Sequence, residues 1–168
     1  KIANIDFQKA DNLNSVAIFG DLDVTFSVAP ANSINEGEAL VSHTFTPEPD
    51  KAYMAILNGV ASSTGYVANP DGRSIALAIT TFAVETEVSD PNKSGVYFVH
   101  GVSDLEVGDF WVRGASKAGF AGAKFGDHAA TVTTVDRKAA TIDFTKANDK
   151  TKVLASFSAD FGAMASAV

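Results

Sequence analysis

"SGVYFVHGVSDLEVGDFWVRG", Ser94–Gly114, is the stretch on which the fold turns. It holds two short apolar runs, Val96–Val99 and Phe110–Val112, a lone histidine, the only tryptophan and an acidic turn between them. Neither run has the i, i+3, i+4, i+7 spacing of a helix, and both are rich in β-branched and aromatic residues. The stretch therefore reads as a β-hairpin of a scaffold and not as the mouth of an active site.

The same pattern extends outward in both directions. "NIDF", "SVAIF", "VTFSVA", "ALVSHTFT", "AYMAILNGV" and "SIALAITTFAV" precede it, and "ATVTTV", "ATIDFT" and "KVLASFSAD" follow. Between them lie turn clusters such as "ANSINEGE", "PEPDK", "NPDGRS", "SDPNKSG" and "KANDKTK". About eleven short strands at this spacing predict an all-β, antiparallel sandwich of immunoglobulin-like type. "NPDG", Asn69–Gly72, places Pro second and Gly fourth, as a type I turn prefers. The alanine-rich "GAMASAV", Gly162–Val168, is the one short stretch with helical composition.

Internal echoes divide the chain. "IDFQKA", Ile5–Ala10, recurs as "IDFTKA", Ile142–Ala147, and "FGD" occurs at Phe19–Asp21 and again at Phe125–Asp127. Two related β-sandwich units, 1–90 and 91–168, are expected to meet near Ser89–Gly95, with strands open to exchange between units or copies.

Composition excludes several function classes. The 168 residues are 46% hydrophobic and 20% charged, which supports a packed core. A net charge of −7 is unsuited to nucleic acid or to anionic membranes. No apolar run approaches the roughly 20 residues that a membrane-spanning helix needs. With no cysteine there is neither a disulfide nor thiol chemistry. An acidic chain rich in Ala, Thr, Ser and Val suits a bacterial extracellular protein, and a start at Lys1 suits a mature, trimmed or excised segment.

"VYFVHGVSD", "VGDFWVRG", "FGD" and "ATIDFTKA", taken in order, resemble the bacterial domain of unknown function 4397 family. His100, Asp104, Gly108, Asp109, Phe125 and Gly126 stand at the matching places, and Leu105 stands where the family usually has Pro. The resemblance covers most of the chain. It implies secreted or surface-attached Ig-like repeats, usually in tandem, without enzymatic activity. Laid on that pattern, the first unit lacks its leading strand and the second its last one.

No catalytic constellation emerges. His100 ends an apolar strand and reads as structural. His43, alternating with Val41 and Phe45, is assigned to a solvent face, and His128 to a turn. Asp6 and Asp143 in the two "IDF" segments are assigned to exposed positions. Phe110 and Trp111 fall on opposite faces of one strand, so one is a core residue, expected to be the tryptophan, and the other is free to stack on a sugar. "DPNKSG", Asp90–Gly95, carries oxygen side chains Asp90, Asn92 and Ser94 at the first three odd positions of a calcium loop, with Gly95 sixth. Position twelve is Gly101 and not Glu, which makes calcium a weak candidate and leaves no other cofactor. "GFAGAKFGD", Gly119–Asp127, is glycine-rich but has no Gly-Lys-Ser/Thr and does not open a helix, which argues against phosphate binding. The expected function is a non-enzymatic extracellular structural or adhesion module whose partners are other copies or tandem β domains. The alternative is a module that binds surface glycans.

Overall fold

The computed structural model describes residues 22–162. The candidate strands "NIDF" and "SVAIF", Asp6 and most of "GAMASAV" lie outside the described residues.

The fold is all-β, and every ladder is antiparallel. Ten strands are described: β1 Val24–Val28, β2 Val41–Phe45, β3 Ala52–Asn58, β4 Ala78–Val84, β5 Lys93–Val96, β6 Gly108–Val112, β7 Phe120–Ala123, β8 Thr133–Asp136, β9 Ala139–Lys146 and β10 Asp149–Asp160. They form two hairpins, β1–β2 and β3–β4, a four-stranded sheet ordered β10-β9-β6-β7, and a β5–β8 pair. All these ladders join strands from the same side of Asp90.

Alternation builds the hairpins. Val24, Phe26 and Val28 share the partly covered face of β1, while Thr25 and Ser27 face water and pair across the ladder with Thr44 and Ser42. Their hydroxyls meet at 2.7 and 2.8 Å. On β2, Val41, His43 and Phe45 share the covered face, which corrects the solvent assignment of His43. Residues two apart in a strand lie on the same side, so the apolar neighbours of His43 carry it inward. There its Nε2 meets Thr81 Oγ1 on β4 at 3.0 Å.

In the second half two sheets face each other. Phe110, Ala123, Ile142 and Phe144 of the four-stranded sheet pack with Val135 of β8 and with Phe98, Ala129 and Phe161 into one buried cluster. Gly108 is required there, because a Cβ would stand 2.4 Å from the Phe144 ring. Ser94–Gly114 is not one hairpin. Its first run pairs through β5 with β8, and its second pairs through β6 with β7 and β9. The acidic turn thus carries the chain from one sheet to the other.

β7 falls inside the glycine-rich stretch Gly119–Asp127, which is not among the strands read from sequence. Register shifts between Gly108 and Phe110, with Gly122 at φ +67°. The bulge is held by Asp109, which is buried and accepts from Gly122 N–H at 2.7 Å and from Asn148 N–H at 2.9 Å.

The halves touch through a short joint. Asn69, buried in the Asn69–Gly72 turn, donates from Nδ2 to the carbonyls of Ser103 and Leu105, and its Oδ1 accepts from Asp71 and Arg73 N–H. Arg73 pairs with Asp127 at 3.0 Å. The Phe82 ring stacks on His128 with centroids 4.0 Å apart, and Tyr97 Oη accepts from Glu85 N–H. His128 is therefore a bridge residue opposite Val99 and not a turn residue.

Candidate functional site

A groove of about 1200 Å³ opens at one end of the second half. Five segments build it, with Lys93 of β5 at its margin. The β6–β7 connection from Arg113 to Gly119 forms one wall and β8 another. The start of β9 and the end of β10 close it. β8 carries a ladder only on its β5 side among the described residues, so its other edge opens into this space.

Charge is arranged around it. Lys93 on β5 and Lys138 beside β9 bracket Asp136, Lys138 Nζ at 2.8 Å and Lys93 Nζ on the other oxygen. The two ammonium groups, Lys138 foremost, pull the Asp136 carboxyl down to about 2. Arg113 grips Asp143 through two nitrogens, at 2.9 and 2.7 Å. Ser156 donates to the same carboxylate at 2.6 Å, and these bonds, the guanidinium's first, hold Asp143 below the usual carboxylate range. Asp143 is thus buried under its partners, not exposed as alternation implied. Lys117 lines the groove with no ion pair among the described residues.

The other sequence candidates are dispersed. Phe110 is the core residue of its pair, with ring contacts to Phe98, Phe120 and Phe144. Trp111 lies on the opposite face of the sheet, half-buried, with Lys150 Nζ 5.7 Å above its ring and its indole N–H without a partner. The assignment of the tryptophan to the core is corrected accordingly, and the two aromatics form no joint platform. In "DPNKSG", Asp90 Oδ1 accepts from Asn92 N–H at 2.9 Å, while Ser94 Oγ turns to the Phe161 carbonyl at 3.4 Å. Asp90 and Asn92 share a tight turn, and Ser94 belongs to β5.

His100 is 1% exposed. Its Nδ1 accepts from Val102 N–H and its Nε2 faces the Glu106 carbonyl, both at 3.4 Å, with the Phe144 ring edge-on at 4.7 Å. Burial pushes its pKa down. Beside it, a mostly apolar cavity of about 120 Å³ opens toward Phe157, which is 54% exposed. Through these two contacts the imidazole packs against and orients the Gly101–Glu106 turn.

Sequence reasoning did not find the groove. Its lining comes from segments as far apart as Lys93 and Asp160, and each cation alone is an ordinary surface residue. A signal was present in the distribution of charge. Residues 1–90 hold 12 Asp and Glu against 4 Lys and Arg, a net −8, while residues 91–168 hold 8 against 9, a net +1. Family models, curated proteins and solved structures were all searched, and none matches the chain.

Proposed function

We propose that the chain is a non-enzymatic structural or adhesion module, extracellular or at a bacterial cell surface, that associates with other copies of itself or with tandem β domains. The reading treats it as an Ig-like repeat of the kind its resemblance to the domain of unknown function 4397 family implies. One observation carries it. Of the ten large apolar side chains exposed among the described residues, seven (Leu22, Ile34, Leu40, Met54, Leu57, Tyr66 and Val67) belong to the first half, whose described strands contribute nothing to the buried cluster around Phe110 and Phe144. Apolar side chains that one half leaves in water are surface that a partner can bury.

Exchange of the C-terminal strand is a less economical route than docking. Phe157–Asp160 already pairs with Ile142–Ala139 in its own chain, so donation would break an existing ladder. The other candidate donor, Lys1–Phe7, lies outside the described residues. Light scattering across a wide concentration range tests the reading. Mass that rises with concentration is expected, and a monomer at every concentration and ionic strength overturns it.

A further inference from the structure

We infer that the groove between β8 and the ends of β9 and β10 is the acceptor for the acidic half of a second copy of this chain. The inference rests on the reading of the protein as a self-associating module and names the surface that does it. Three observations converge on this occupant. First, the groove is lined by Lys93, Arg113, Lys117 and Lys138 against Asp136 and Asp160; Lys93 and Lys138 share Asp136 and Arg113 is paired with Asp143, which leaves Lys117 as the lining cation with no ion pair among the described residues, in a protein whose net charge is −7. Second, the complementary surface is in the same chain. No ion pair among the described residues uses a carboxylate from residues 22–90, although that stretch holds nine Asp and Glu against two Lys and Arg. Asp23, Glu38 and Asp90 accept hydrogen bonds within the chain, but none of the nine is matched by a cation among the described residues, so their charge is open to a partner. Third, the open edge of β8 lies in the groove and offers main-chain groups to an incoming extended segment.

The two surfaces differ, so the contact is head-to-tail and repeats until it closes into a ring or grows as an open chain. Electrostatic complementarity fixes its direction, because acidic half against acidic half is repelled. A nucleic acid fits less well, since the same molecule would bring a net −8 half toward the phosphates.

The test is sedimentation velocity on the whole chain, with the variants Lys117→Glu and Lys117→Glu/Lys138→Glu. Lys117→Glu alone breaks no ion pair and keeps the test open should the double variant fail to fold. Association of the wild type is expected to weaken steeply as ionic strength rises from about 0.01 to about 1 M, where the Debye length shrinks from about 30 to about 3 Å. The double variant should bind at least about tenfold more weakly. Lys124→Glu/Lys152→Glu, an equal charge change away from the groove, should associate like the wild type. Association that survives groove reversal overturns the groove while leaving self-association standing. A wild type that stays monomeric overturns both. A monomer that instead binds a polyanionic glycan such as alginate, and loses it on Lys117→Glu, overturns the second copy as occupant.

Discussion

The two halves of the molecule use the same strand grammar and reach different ends. In the first, β1 and β2 alternate between half-covered and exposed positions along their whole length. Phe26, Phe45 and Tyr53 do find one another, with centroids 5.8 and 5.1 Å apart, but among the described residues only two short hairpins face each other there, β2 against β4. In the second, β6 and β9 are central strands, and β9 is buried at four consecutive positions from Ile142 to Thr145. The difference teaches that alternation makes a strand, whereas a core needs a facing sheet. Phe110 and Phe144 stand opposite each other in the β6–β9 register, and β5–β8 closes over that face. In the first half the facing hairpins bury Ile79 and Phe82 of β4 and leave Phe26, Phe45 and Tyr53 half-covered.

The strongest way to break this comparison is to truncate one aromatic in each half. Phe144→Ala removes a ring that touches Phe110 and His100 inside the cluster and should cost about 3–5 kcal/mol. Phe26→Ala, on the half-covered face of β1, should cost about 1 kcal/mol. Urea unfolding of both variants measures the contrast. Equal costs would mean that the first half has a core as dense as the second.

Much of the fold was legible in the residues, and the failures have physical causes. Every strand read between Val24 and Asp160 is present as a strand, wholly or in part, because β-branched and aromatic runs bounded by turn residues are a local property. β7 was hidden because "FAGA" has low strand propensity and is held by neighbours: β6 on one side and the Asp109 carboxylate at its bulge. Asp143 was misplaced because alternation assigns a face but not what covers it. Arg113 and Ser156 lie 30 and 13 residues away, and only the sheet order brings them together. For Phe110 and Trp111 the period of two showed that they part, but only the position of the second sheet decides which is inside. The groove was legible only as an imbalance of charge between the halves.

A second prediction sharpens the comparison by cutting the joint. Asn69→Ala strips partners from the N–H groups of Asp71 and Arg73 and from the carbonyls of Ser103 and Leu105, all near a buried position. Leaving such groups unsatisfied costs about 1–3 kcal/mol. The loss should be uneven: amide exchange should speed up in β3 and β4 and hold in β6 and β9. Asn69→Asp keeps the two acceptor bonds and loses the two donor bonds, so it should fall between. Uniform acceleration across both halves would show that they unfold as one unit and that the joint is no weak point.

The smallest effect is expected from a proton. His100 sits between the Phe144 ring and the turn it orients, and burial lowers its pKa below the ordinary 6.5. The Glu106 carbonyl and the charges of Asp71 and Asp127 act in the opposite sense and limit the shift. Because the folded-state pKa is the lower one, the unfolded chain binds the proton first as pH falls. The stability due to neutral His100 is therefore complete above the unfolded value and is lost as pH falls through the folded one. His100→Gln keeps a polar side chain near the Glu106 carbonyl but cannot titrate. Its urea midpoint should lie below that of the wild type at about pH 7, and the gap should narrow by about pH 5, where the wild type must give up its advantage. His43 and His128, both partly covered, are present in both proteins and cancel in the difference. A gap that stays constant between the two pH values would show that His100 is held by its packing alone, with no protonation cost, and would place its environment nearer to the half-open first half than to the closed core.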